Sequence, residues 1–89
     1  MGYDSTINLY GHNGKFLGEL IDDISFRAII NLIKFAHQNK ASDVPMYAFD
    51  DVVCEKEVLE SFKGSDFENQ LADIIKNDDE IAYFGITSV

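Results

Sequence analysis

Three runs of neighbouring carboxylates, Asp22-Asp23, Asp50-Asp51 and Asp78-Asp79-Glu80, and three single side chains, His12, His37 and Cys54, are the groups whose types could support chemistry. Paired carboxylates bind a cation, or divide acid and base duty when their environments push their pKa values apart. Each run, however, falls at an element boundary, where aspartates cap helices and close turns. The residue pattern of a calcium loop is absent. A single cysteine forms no internal disulfide and cannot anchor a zinc staple. His12 flanks a turn and is expected at the surface, with no oriented partner to make it a general base. His37 is expected to be partly buried and hydrogen-bonded on the apolar stripe of a helix. Cys54 is expected in the first turn of a helix, where the dipole favours the thiolate. Asp51, Glu55 and Glu57 oppose that effect, so Cys54 reads as a small packing residue. No GxGxxG, phosphate loop or H-E-x-x-H pattern occurs, and Gly11-His12-Asn13-Gly14 reads as a turn rather than a phosphate cradle. These residues assign no catalytic group, no metal site and no cofactor.

The elements that must position these groups follow from periodicity. Residues 5–10 alternate with period two, as a half-buried strand does, and an apolar run resumes from Phe16 to Ile21. Asn13-Gly14 between them predicts a two-residue type I′ hairpin. Its register would set Leu9 opposite Gly18 and Ile7 opposite Leu20, with Ile7, Leu9, Phe16 and Leu20 on the core face. Asp22-Asp23 is expected to end the second strand, and Ser25 to cap a helix from about Phe26 to Asn39. Phe26, Ile29, Ile30, Ile33 and His37 form its main stripe, with Leu32 and Phe35 outside it, so the helix is expected to bury more than one side. Pro45 opens a short strand from Met46 to Phe49. Asp50 or Asp51 then caps a helix from Val52 to Lys63, with a tight turn followed by a Val52-Val53-Cys54 strand as the alternative. Ser65-Asp66-Phe67-Glu68 is a capping box that starts a helix from Asp66 to Lys76. Residues 81–86 read as a strand in the interior of a sheet. The expected fold is a single α+β domain over residues 1–89 in the order β-β-α-β-α-α-β, with an N-terminal hairpin and about four strands in a mixed sheet packed against helices.

Charge separates the two halves of this order. Met1 to Ala41 contains four acids and four bases. Ser42 to Val89 contains twelve acids and three bases, and so carries the whole formal charge of −9. A concentrated negative field steers a basic partner and repels nucleic acid and anionic membrane. The seven basic residues do not cluster, so direct nucleic-acid binding is not expected. At 46% hydrophobic residues the chain is too rich in core formers for an acidic disordered tail. It has no apolar run of membrane-spanning length and no signal-peptide pattern. Gly2 with Thr6 fits a myristoylation start by type alone. A soluble cytoplasmic protein, monomeric or a small homo-oligomer, is expected.

The leading expectation is a non-enzymatic domain that binds a basic protein through the acidic C-terminal half, at Asp50, Asp51, Glu55, Glu57, Glu60, Asp66, Glu68 and Asp73. Tyr47, Phe49, Phe62, Tyr83 and Phe35 are candidate aromatic anchors. Immunity proteins that neutralise toxins and inhibitors of nucleic-acid-processing enzymes share this physical type, although no family motif underlies the likeness. Two alternatives stand beside it. One is a ligand-binding domain or enzyme with a pocket near the hairpin and His12. The other is a subunit of a homo-oligomeric or larger assembly.

Overall fold

The computed structural model describes residues 4–43 and 50–88. The first two strands, β1 (Asp4–Tyr10) and β2 (Phe16–Ser25), form the expected hairpin. Its turn differs from the predicted one. Gly11 N–H donates to the Lys15 carbonyl at 2.8 Å and Gly14 N–H to the Gly11 carbonyl at 2.9 Å. Gly14 has φ 81°, whereas Asn13 is not among the positive-φ residues. Asn13 instead accepts the Lys15 N–H on its side-chain oxygen at 3.0 Å. The loop is thus three residues long and closes on a left-handed glycine, which shifts the pairing beside it. Leu9 faces Gly18 as expected, but Tyr10 faces Phe16 and Ile7 faces Ile21. Phe16 consequently leaves the core face and is 52% exposed, its ring edge-on to Tyr10 at a centroid distance of 5.9 Å.

Asp22-Asp23 does not end β2. Asp23 takes up φ 52°, a left-handed conformation that a short polar side chain tolerates, and Asp22 accepts a hydrogen bond from Thr6 Oγ1 at 2.6 Å. The strand therefore continues to Ser25 through an irregular stretch of its ladder.

A 3-10 helix (Phe26–Ile29) leads into α1 (Ile30–Gln38), and the Ser25 side chain makes no capping bond. The tighter first turn changes the phase of everything after it. Ile29, Leu32 and Ala36 are the residues buried, while His37 is exposed. Leu32 and Phe35, outside the expected main stripe, thus belong to a second side of the helix that is also covered. Leu32 is fully buried, and Phe35 packs edge-on against Phe62 at 5.1 Å.

The strand expected at Met46–Phe49 lies outside the described residues. The expected helix from Val52 to Lys63 is replaced by β3 (Val52–Glu55) and a second 3-10 helix (Lys56–Ser61). Val52 and Val53 are β-branched, and the segment finds a ladder on one side and a hydrogen bond on the other. Val52 faces Ile86 on β4, and Ala41 N–H donates to the Val53 carbonyl at 2.8 Å. Four residues are too few for apolar spacing to separate a strand from a helix, so pairing decides.

Helix α2 (Asp66–Lys76) begins with the predicted capping box. Glu68 N–H donates to Ser65 Oγ at 3.2 Å, and Ser65 N–H donates to Glu68 Oε1 at 2.8 Å. The last strand, β4 (Tyr83–Ser88), lies between β1 and β3 in a sheet of order β2-β1-β4-β3 that is antiparallel throughout rather than mixed. The described order is thus β-β-α-β-α-β, a small α+β fold with one fewer α-helix than expected. One face of the sheet presents Ile7, Phe84, Ile86, Val52 and Cys54 to Ile29, Leu32, Leu59 and Ile75 from the helical layer. No described helix is long and apolar enough to cross a membrane.

Candidate functional site

The eight carboxylates expected to meet a partner separate into three groups. Glu68 is the plainest correction. It is 1% exposed, and its carboxylate lies between the two helices. Oε1 accepts from Asn31 Nδ2 at 3.0 Å and from Ser65 N–H, while Oε2 accepts from Leu32 N–H at 2.9 Å. Burial works to raise its pKa, but the Ser65, Asn31 and Leu32 donors outweigh burial and hold the carboxyl below its ordinary range. The carboxylate ties α2 to α1 from inside the protein, out of reach of any surface partner.

Asp50 and Asp51 are committed to the sheet instead of capping a helix. Asp50 Oδ1 accepts from Asn8 Nδ2 and from Thr87 Oγ1, each at 2.6 Å, and Oδ2 accepts from the Tyr10 hydroxyl. Burial, then the hydrogen bond and the charge of Asp50, push the Tyr10 phenol above its ordinary pKa. This cluster sits on the sheet face opposite the helices, directly over Gly85. A Cβ on Gly85 would lie 2.5 Å from Asp50 Cγ, so only glycine leaves room for the carboxylate. Asp51 Oδ2 accepts from Ser88 N–H at 2.9 Å. Asp73 is bonded to Lys76 at 3.3 Å and lines a groove of about 300 Å³ that also holds Lys63, so its charge is locally offset.

Glu55, Glu57, Glu60 and Asp66 remain exposed, without a hydrogen-bond or ion-pair partner among the described residues. Two of them converge. Glu55 ends β3 opposite Tyr83, the first residue of β4. Between Glu55 and Glu57, Lys56 donates through Nζ to the Asp78 carbonyl at 2.8 Å, while its N–H bonds the Ala82 carbonyl. The hairpin reaches the same end of the sheet, where His12 Nε2 bonds the Asp79 carbonyl at 2.8 Å. A carbonyl only accepts, so Nε2 carries the proton in this arrangement. Glu55, Glu57, His12, Ala82 and Tyr83 together line a cleft of about 220 Å³. No lysine or arginine lines it, and Asp78, Asp79 and Glu80 are exposed beside it.

From the sequence, His12 flanks a turn, with a pocket near it as one alternative, and Asp78-Asp79-Glu80 is a boundary run; neither is joined there to Glu55 and Glu57. The turn duty is real, because Asp78 Oδ1 accepts from Glu80 N–H at 2.9 Å. Convergence of the hairpin, the end of β3 and the start of β4 depends on strand order, for which the sequence carries no local signal. Cys54 is fully buried, its thiol pushed up to about 11 by burial, and its Sγ–H donates to the Ala36 carbonyl at 3.3 Å. It is a packing residue with no thiolate to offer. Among the described residues no group of three or more histidine, cysteine, aspartate or glutamate side chains is arranged to hold a metal ion. Comparison of the chain with protein-family models, with curated proteins and with solved structures returned no match.

Proposed function

We propose that this chain is a non-enzymatic binding domain that captures a basic protein at the end of the sheet marked by Glu55, Glu57 and Tyr83. The observation that carries this reading is the cleft itself. Two unpaired carboxylates, an aromatic residue and a histidine line it, and no lysine or arginine does, the Lys56 ammonium being held on the Asp78 carbonyl beside it. At about 220 Å³ it is smaller than the roughly 300–1,000 Å³ typical of small-molecule sites. It suits one lysine or arginine side chain of a partner, with Tyr83 available for a cation–π contact. The partner-binding set therefore contracts from eight carboxylates to Glu55 and Glu57, with Glu60 and Asp66 on the flank supplying long-range attraction. Charge of this kind mainly raises the association rate. An inhibitor or immunity role against a basic, nucleic-acid-processing protein in the cytoplasm fits the acidity of the chain and its lack of an internal disulfide, with one cysteine in the sequence.

The test is capture from lysate of the source cell on the tagged protein, washed at low and then at high salt, alongside the Glu55→Lys/Glu57→Lys variant. A basic protein retained by the wild type at low salt, lost at high salt and never retained by the variant supports the proposal. A prey held equally by both proteins and at both salt concentrations overturns its electrostatic basis.

A further inference from the structure

The two edges of the sheet are not alike. The β3 edge is four residues long and is met by the Ala41 N–H on the Val53 carbonyl. The β2 edge is ten residues long, and among the described residues it has a strand neighbour only on its β1 side. A long free edge is a template for another strand, and proteins that must avoid pairing place charges, proline or bulges there. Phe16–Ser25 contains no lysine or proline; its protection against a like copy is three acids and a ladder that shifts register three times. Its N-terminal half instead exposes Phe16 at 52% and Leu17 at 42%, and its exposed charges, Glu19, Asp22 and Asp23, are all acidic.

Those charges select the occupant. If β2 of a second copy were added antiparallel about the strand centre, Glu19 of each copy would meet Asp22 of the other. Like charges directly opposite destabilise a strand pair. An extended segment with lysine or arginine at those positions gains where a second copy loses. The left-handed Asp23 bounds the stretch open to an added strand, and within that stretch the ladder to β1 shifts register between Phe16 and Gly18 and between Glu19 and Ile21. We infer that β2 accepts a basic, extended segment of a partner protein as a fifth strand along Phe16–Asp22, by main-chain pairing at the edge with basic side chains against Glu19 and Asp22. This takes from the proposed function only the sign of the partner's charge. It concerns a different surface from the Glu55–Glu57 cleft.

The experiment uses the full chain, labelled with nitrogen-15 and titrated with a ten-residue alternating lysine–valine peptide, with an alternating glutamate–valine peptide as control. The lysine peptide is expected to shift the amides of Phe16–Asp22 and slow their hydrogen exchange at least tenfold, while the glutamate peptide binds at least tenfold more weakly. Glu19→Lys/Asp22→Lys is expected to reverse that preference. Leu17→Lys, a single exposed change, is expected to weaken the lysine peptide about tenfold and serves if the double variant does not fold. Shifts confined to residues around Glu55 and Glu57 would overturn the edge proposal and leave the cleft reading intact. Shifts nowhere would overturn the edge proposal. A dimeric mass with the β2 amides already protected would overturn it in favour of a second copy.

Discussion

Glu68 Oε2 accepts the backbone N–H of Leu32 at 2.9 Å, a bond across 36 residues that joins the N-terminus of α2 to the first turn of α1. The same carboxylate closes the capping box with Ser65 and holds Asn31. One side chain thus satisfies free N–H groups at the start of two helices, where no intrahelical partner exists.

Replacing Glu68 by Ala should therefore cost about 3 kcal/mol, since it removes a cap and leaves a buried Leu32 N–H unmet. Urea unfolding checks the value, and a loss below about 1 kcal/mol would show that water or a neighbour takes over the bond.

Glu68 also carries a pH dependence. Its folded pKa lies below the ordinary value of 4.5, so its contribution is complete above that value and is lost as pH falls through the folded pKa. Thermal unfolding from pH 6 downward should show a decline of stability below about pH 4.5 that is shallower in Glu68→Gln. Parallel curves for the two proteins would contradict the assignment.

Gly85 and Asp50 should behave as a coupled pair. Gly85→Ala drives a Cβ into the Asp50 carboxylate and is expected to cost about 2 kcal/mol, as overpacking does. Asp50→Ala removes the obstacle while unpairing Tyr10, Asn8 and Thr87. The double variant should then be more stable than the sum of the single losses implies, by about 1 kcal/mol or more, in a double-mutant cycle. Simple additivity would mean that the carboxylate moves aside freely.

Gly14 closes the hairpin at φ 81°. Gly14→Ala is expected to cost about 1 kcal/mol through left-handed strain, read as a lowered urea midpoint with an unchanged slope.

Cys54 should resist thiol reagents in the native state at pH 8, because the thiol is buried and burial pushes its pKa up to about 11. Its modification rate should rise with urea in step with unfolding. Rapid labelling in native buffer would place the side chain at the surface.

Sequence alone determined the features whose chemistry is local. The capping box needs only Ser65 and Glu68 three positions apart, and it starts α2 where expected. Asn13-Gly14 marks the hairpin, and the unbroken apolar run before Thr87 marks β4 as an interior strand, which its place between β1 and β3 bears out. The tertiary structure decided what depends on contacts far apart in the chain. Val52–Glu55 became a strand because β4 offered it a ladder, and Asp22-Asp23 stayed within β2 because Thr6 lay opposite. The carboxylates look alike as letters. Their roles diverged through non-local geometry: Glu68 met α1, Asp50 met Tyr10, Asn8 and Thr87, and Glu55 with Glu57 met only His12, Ala82 and Tyr83 around an open cleft. A carboxylate's role is set by how many donors surround it and how much water remains, and both are properties of the folded chain.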